Sequence, residues 1–229
     1  MMSTSRLSRL HTILNRDKVC SMSSKTQHNA HKDATTGRPR QDALYAVAER
    51  QAGYFTTAQA GSAGYSRSLL AHHAKGGAFS RARTGVYRLS RFPASPWEDL
   101  FIAWLQAGPD AVVSHDSALA LFELSDVLPS EVHFTLPRTS SRRRPHIRMH
   151  TSALDPSDVA VREGLPVTSV ARTIADVARA GMAGELVGQA IRQSLERGLT
   201  SEALLRARAE ATGGRARRLI LATLGGTDR

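Results

Sequence analysis

A run of basic residues without acidic neighbours is the feature of this sequence with the clearest chemical meaning. No Asp or Glu occurs between Glu49 and Glu98. A solvated protein surface usually carries both signs of charge, whereas neutralising phosphates requires one sign, because each Lys or Arg contact releases counterions. The stretch therefore favours a nucleic acid over a protein surface as the partner. From residue 51 onward its basic residues are Arg67, Lys75, Arg81, Arg83, Arg88 and Arg91.

The bulk composition agrees with a polyanionic partner. The 229 residues include 31 Lys and Arg against 20 Asp and Glu, for a formal net charge of +11. Such a balance indicates nucleic acid or an anionic membrane surface. No apolar run approaches the roughly 18–20 residues that span a bilayer, so we expect no membrane segment. Because Cys20 is the single cysteine and the first forty residues lack an apolar signal segment, we expect a cytoplasmic protein.

The elements that carry these basic residues follow a recognisable order. Apolar spacing predicts a helix from Asp42 to about Gln51, and a short helix over residues 58–60 follows a hydroxyl cap. Ser66 is the predicted cap of a third helix over residues 67–75, which two glycines end. Two short β-prone runs over residues 78–89 then predict a hairpin around a tight turn. Three helices and a hairpin are the layout of a winged helix-turn-helix.

The third helix and the hairpin supply the predicted DNA-binding residues. Side chains on a recognition helix can reach base edges or phosphates in the major groove, and a basic hairpin tip can lie along the backbone or enter the minor groove. The alternative is a small basic domain that contacts a protein. The predicted DNA-binding residues are Ser66, Arg67, Ser68, His72, Lys75, Arg81, Arg83 and Arg88.

The remaining chain predicts a second domain and an N-terminal tail. Residues 94–229 mix predicted helices with strands at 132–136, 147–150 and 165–167 and end in helices. The fold class is therefore α+β, with a winged helix-turn-helix over residues 41–93 followed by a mixed α/β domain. Residues 1–40 lack sustained periodicity and are interpreted as a disordered basic tail, with a DNA-scanning arm as the alternative.

A second basic patch lies in the loop that joins the first two strands of this domain. No acidic residue occurs between Glu131 and Asp155. An Arg-rich hairpin loop could bind phosphate groups of DNA or RNA. The alternative is a solvated loop that binds no ligand. The patch consists of Arg138, Arg142, Arg143, Arg144 and Arg148.

A search for catalytic residues finds none. The run Ser114 to Asp116 contains the residue types of a Ser/His/Asp centre, but sequence neighbours rarely form a triad and no Gly-x-Ser-x-Gly elbow is present. We interpret His115 as a residue at a helix N-terminus. There is also no phosphate-binding loop and no dinucleotide glycine pattern. The sequence therefore predicts no catalytic residue and no cofactor.

The sequence does not indicate metal ligands either. Asp155, Asp158 and Glu163 are interpreted as turn residues rather than as metal carboxylates. His72 and His73 are adjacent, so they point to different faces of a helix and cannot form an i, i+4 metal site. The sequence therefore predicts no metal site.

Several segments together resemble one family. The runs GYFTTAQA (53–60), GYS (64–66) and RTGVYRL (83–89) resemble the N-terminal winged-helix domain of AbiEi-family antitoxins. SHDSAL (114–119) resembles that family's SHxSAL element. VHFTLPR (132–138) and GLPVTSVARTIAD (164–176) also match members of the family. The resemblance covers residues 41–200, most of the chain.

The resemblance implies an antitoxin of a type IV toxin–antitoxin pair. Such an antitoxin represses its own operon through the winged helix, so the implied partner is double-stranded DNA of its own promoter. Its C-terminal domain counteracts a nucleotidyltransferase-like toxin, typically without a stable complex. The alternative function is enzymatic: a nucleic-acid-processing protein of the degenerate restriction-endonuclease-like type.

Overall fold

A computed structural model of the chain describes residues 38–124, 126, 129–137 and 145–226. The predicted tail therefore lies outside the described residues except for its last three. The predicted α+β class is confirmed, because helices and two separate sheets alternate along the chain. The N-terminal elements are α1 (Gln41–Glu49), β1 (Tyr54–Thr56), α2 (Thr57–Ser62), α3 (Arg67–Lys75), β2 (Phe79–Arg83) and β3 (Val86–Leu89).

Local hydrogen bonds define where these short helices begin. Thr56 and Gln59 form a capping box at α2, in which the Thr56 hydroxyl accepts the Gln59 N–H and the Gln59 side chain accepts the Thr56 N–H. The Ser66 hydroxyl accepts the Leu69 N–H at the start of α3. The prediction that Ser66 caps a helix over residues 67–75 is thus confirmed.

The three N-terminal strands form an antiparallel sheet in the order β1-β3-β2. The predicted hairpin is confirmed as β2 and β3, joined at Gly85, whose φ of +79° suits a residue without a Cβ. Strand β1 was not predicted, because three residues are too few to show alternation. The order helix, strand, helix, helix, hairpin is that of a winged helix.

Each face of this sheet packs against a different group of helices. On one face Phe55 lies 5.2 Å from Phe79 and 6.0 Å from Tyr87, between ring centroids, in a cluster with Leu44 of α1 and Leu70 of α3. On the other face, Tyr54 and Val86 belong to the larger core of the chain. Strand alternation produces this division, since neighbouring residues point to opposite faces.

The second part of the chain contains six helices and five strands among the described residues. The predicted helices and the three predicted strands are present, and β4 and β7 are additional. The elements are α4 (Glu98–Ala107), β4 (Val112–Val113), α5 (His115–Phe122), β5 (Val132–Leu136), β6 (Ile147–Thr151), β7 (Val159–Arg162), β8 (Leu165–Thr168), α6 (Val170–Ala180), α7 (Gly184–Glu196), α8 (Glu202–Thr212) and α9 (Gly214–Gly226).

These five strands form one mixed sheet in the order β6-β5-β4-β8-β7. Strands β5 and β6 are parallel, with Val132 opposite Ile147 and Leu136 opposite Thr151. The interpretation of their connection as a hairpin loop is therefore wrong, because a hairpin joins antiparallel strands. Both strands therefore begin at the same end of the sheet, where Val132 lies opposite Ile147.

The helix α6 is the centre of the C-terminal half. Its residues from Val170 to Ala178 are all buried, and it packs against α5, α7, α8 and α9. Tyr54 of β1 and Phe101 of α4 stack within the same core, with ring centroids 6.2 Å apart. The described residues thus fall within one compact unit, and the boundary after residue 93 stays a prediction.

Candidate nucleic-acid interface

The third helix presents a polar, basic surface to solvent. Its inner side is held by Leu70, which is buried, and by Leu69, which is half-buried. His73 is half-buried as well and contacts the rings of Tyr65 and Phe79. Every predicted contact residue on this helix is exposed. They are Ser66, Arg67, Ser68, His72 and Lys75.

The Ser66 hydroxyl is already engaged within the helix. Besides accepting the Leu69 N–H at 3.2 Å, it lies 2.9 Å from the Ser68 hydroxyl. Ser66 is nevertheless exposed, so a phosphate can contact it while the capping hydrogen bond stays in place. Arg67, next to it in the first turn, makes no such local bond and is the cation nearest the helix N-terminus.

The hairpin tip is the second exposed basic element. Arg81 and Arg83 are exposed on β2, and the strand register shifts between them, so the strand is irregular at its tip. The Thr57 N–H donates to the Gly85 carbonyl at 2.9 Å, which ties the turn to the start of α2. The tip is therefore anchored while its guanidinium groups face solvent.

Arg88 differs from the other arginines of the hairpin. It pairs with Ser80, and its guanidinium carbon lies 6.0 Å from the Tyr54 ring centroid, on the sheet face that α4 covers. Burial, together with the carboxylate of Glu98, raises the pKa of Tyr54 to about 12, and Arg88 opposes this shift. Arg81 is on the opposite face, whereas Arg83 pairs with Val86 and shares the face of Arg88. Arg88 differs from both because it is half-buried beside Tyr54, so the structure does not bring it to the exposed surface formed by α3 and the hairpin tip.

A groove of about 1540 Å³ runs between the hairpin tip and the sheet of the second part. Thr57, Arg83 and Gly85 line one side, and Pro145 and His146 line the other. The last two residues lie between Arg144 and Arg148 of the predicted second basic patch. Of that patch Arg148 is exposed on β6, whereas Arg138, Arg142, Arg143 and Arg144 lie outside the described residues. The groove also has two acidic lining residues, Asp99 and Glu131.

The predicted turn residues include one buried carboxylate. Asp158 closes a single 3-10 turn and is 1% exposed. Its carboxylate forms an ion pair with Arg172 at 2.8 Å and a second ion pair with Arg208. Arg172 also forms an ion pair with Asp176 at 2.8 Å. Two guanidinium groups neutralise this carboxylate, so its role is to join the turn to α6 and α8.

Three histidines from separate elements come together elsewhere in the second part. His115 begins α5, as predicted, while His133 lies on β5 and His150 on β6. One ring nitrogen of each lies within 4.8 Å of the others, so these are the described residues that could hold a metal ion. Sequence reasoning missed the group because parallel pairing of β5 and β6 is needed to align the last two.

Burial shifts the titration of all three rings in one direction. It lowers the pKa of His115 to about 3, with the neighbouring His150 and His133 adding to the effect. Burial likewise lowers the pKa of His150 to about 4 and that of His133, for which nearby Asp116 acts in the opposite direction. The rings are therefore neutral at neutral pH.

The exposed third helix, the basic hairpin and the order of the elements define a winged-helix protein of the DNA-binding type. Residues 42–90 match the family model described as "Transcriptional regulator, AbiEi antitoxin". This match confirms, for the segment from α1 to the end of the hairpin, the resemblance that the sequence motifs indicated. No curated protein matches the chain. None of the described helices has the length and apolar composition needed to cross a membrane.

Proposed function

We propose that the protein is a DNA-binding antitoxin of a type IV toxin–antitoxin pair that represses its own operon. The observation that carries this proposal is the set of exposed basic and hydroxyl side chains on α3 and the hairpin, within the segment that matches the family. In this proposal the protein acts in the cytoplasm on double-stranded DNA of its own promoter.

The third helix fits the role of the recognition helix. In helix-turn-helix proteins the N-terminal residues of this helix contact base edges in the major groove. Arg67 and Ser68 occupy that position and are exposed. Lys75 lies at the other end of this nine-residue helix. Because a recognition helix moves away from the bases towards its C-terminus, we assign Lys75 a phosphate contact.

The hairpin supplies affinity that does not depend on sequence. Arg81 and Arg83 flank an irregular strand end and are free of acidic neighbours in the sequence, so they suit the phosphate backbone or the minor groove. Arg88 is left out of the proposed contact surface, because it is half-buried beside Tyr54.

The groove beside the hairpin tip supports a contribution from the second part of the chain. Its walls join Arg83 to Pro145, which follows the Arg138–Arg144 segment. A phosphate backbone that meets Arg83 would therefore pass near the residues that follow Arg144 in the chain. We assign the counteraction of a nucleotidyltransferase-like toxin, without a stable complex, to residues 94–229, because the family match accounts for residues 42–90.

Binding of the full chain to its own promoter tests the proposal. Fluorescence anisotropy should show tighter binding to a duplex from upstream of its gene than to a shuffled duplex of equal length at the same salt concentration. Equal affinity for both duplexes would contradict operator recognition. Metal-dependent cleavage of plasmid DNA by the same preparation would instead favour the nuclease alternative.

A further inference from the structure

We propose that His115, His133 and His150 bind one divalent transition-metal ion, zinc in the first instance, and leave one coordination position open. The proposal goes beyond promoter binding and departs from the sequence-based expectation of no metal site. Three imidazole ligands and a free fourth position form a known zinc geometry.

One distance between the rings already fits a tetrahedral ion. The His133 Nδ1 atom lies 3.4 Å from the His150 Nε2 atom. Two nitrogens bound at about 2.0–2.1 Å to a zinc ion at the tetrahedral angle would lie about 3.4 Å apart. The His115 and His150 rings stack with centroids 3.6 Å apart, and binding would rotate them until their nitrogens converge on the ion.

The orientation of His115 is imposed from outside the cluster. Its Nδ1 atom lies 3.0 Å from the hydroxyl of Ser114, which leaves Nε2 for the metal. Such a hydrogen bond to the second ring nitrogen is how proteins orient histidine ligands. The backbone of His115 also has a φ of +52°, a conformation that residues with a Cβ adopt at a cost and that clusters at functional sites.

The three rings are largely removed from solvent, because His115 and His133 are buried and His150 is half-buried. Without an ion, the three polar rings contact one another. Metal binding would offset the free-energy cost of burying them. The cost of burying them without a strong partner argues for a ligand.

The open position has a polar neighbour and basic surroundings. Thr135 lies opposite His150 in the strand register, so both face the same side of the sheet, and its buried hydroxyl has no hydrogen-bond partner. A water molecule on the metal ion would offer it one. Arg148 lies opposite His133 in the strand register and is exposed, so the fourth ligand is expected to be water, hydroxide or an anionic oxygen.

Metal loading of the full chain tests this proposal. Zinc-free protein is titrated with zinc chloride by calorimetry, and its Tm is measured with and without a hundredfold excess of zinc over the measured Kd. We expect one tight site per chain and a rise in Tm of about 5–10 °C. Cobalt chloride should give the intense visible absorption of tetrahedral Co²⁺.

Variants separate this site from the other histidines of the chain. His150→Ala, at a half-buried strand position, should lose the tight site, the Tm shift and the cobalt spectrum, and His133→Gln should behave alike. His72→Ala, an exposed histidine on α3, should keep all three. Absence of a one-to-one site in the wild type, or its retention in His150→Ala with an unchanged circular dichroism spectrum, would overturn the proposal.

Discussion

At the scale of single residues, the proposed recognition of the promoter depends most on Arg67. It is exposed in the first turn of α3, where a recognition helix meets the bases, and it packs against nothing that the fold requires. Arg67→Ala should weaken promoter binding by about 1–3 kcal/mol and relax the preference for the promoter over a shuffled duplex. Anisotropy titrations at one salt concentration measure both effects.

The matched control for Arg67 is Arg218, an exposed arginine on α9. Arg218→Ala removes the same charge from the protein but lies outside the proposed interface, so it should leave the affinity unchanged. An equal loss in both variants would show that net charge, rather than a contact of α3, accounts for the effect.

The arginines of the hairpin give a second residue-scale prediction. Each phosphate contact contributes about 0.9 to the slope of log affinity against log salt concentration, so Arg81→Ala with Arg83→Ala should reduce the slope by about 1.8. Arg88→Ala should leave the slope unchanged, because Arg88 is half-buried and its guanidinium lies over the Tyr54 ring. A slope that changes only with Arg88 would reverse the assignment.

The sequence was informative about residues whose role is local. The exposure of Arg67 and Lys75 follows from helix periodicity around Leu70, and the cap at Ser66 follows from residue type. The position of Arg88 depends instead on which sheet face α4 covers. The convergence of His115 with two strand histidines depends on parallel pairing across a loop, which no local pattern encodes.

At the scale of elements, the first turn of α3 combines a structural and a functional role in Ser66. Ser66→Ala removes the acceptor for the Leu69 N–H and should lower the free energy of unfolding by about 1 kcal/mol. Ser66→Asp keeps a capping acceptor, so the stability should hold. It also adds a negative charge where DNA phosphates approach, so promoter affinity should fall.

Thermal unfolding and anisotropy together distinguish the two effects of Ser66. The Ala variant should lose stability with a smaller loss of affinity at low temperature, and the Asp variant should show the reverse. If Ser66→Asp binds the promoter as tightly as the wild type, the N-terminus of α3 does not face the phosphate backbone.

Short elements were the ones that the sequence did not predict. Strands β1 and β4 contain three and two residues, too few for a periodic pattern to stand out. Strand β7 was also missed, although β8, which has four residues as well, was predicted. Strand β4 exists because it pairs with β5 on one side and β8 on the other. Helices α6 to α9 are longer and show apolar spacing, which is why the sequence predicts that the chain ends in helices.

At the scale of the whole molecule, the larger core joins the winged helix to the second part. Tyr54 and Phe101 are fully buried against each other, and α4 covers one face of the small sheet. Phe101→Ala should therefore cost about 3–5 kcal/mol and should lower the melting temperature of both parts together. Far-ultraviolet circular dichroism reports all helices, and tryptophan fluorescence reports Trp97 and Trp104 near α4.

The two optical signals should change in one shared transition, in the wild type and at a lower temperature in Phe101→Ala. Two separate transitions would show that the winged helix unfolds independently of the second part. Conservative Phe101→Leu keeps most of the buried apolar volume and should recover most of the stability.

Repression and toxin counteraction should be separable by substitution rather than by truncation. A full-length chain with Ala at Arg67, Arg81 and Arg83 should fail to repress a promoter reporter, because all three lie on the exposed surface of α3 and the hairpin. It should still protect cells that co-express the neighbouring toxin. Loss of protection in this variant would place toxin counteraction on the DNA-binding surface.

The small sheet, enclosed by α1 to α3 on one face and by α4 on the other, has a consequence for how such proteins can be recombined. A crossover placed after residue 93 would pair Tyr54 and Val86 with a foreign α4, and the new partners would have to fit a cavity shaped for Phe101. Exchange of operator specificity between relatives should therefore succeed when the junction follows α4, near Gly108, so that the donor brings its own lining for the sheet. The segment that must be exchanged to transfer DNA recognition is then longer than the segment that contacts DNA.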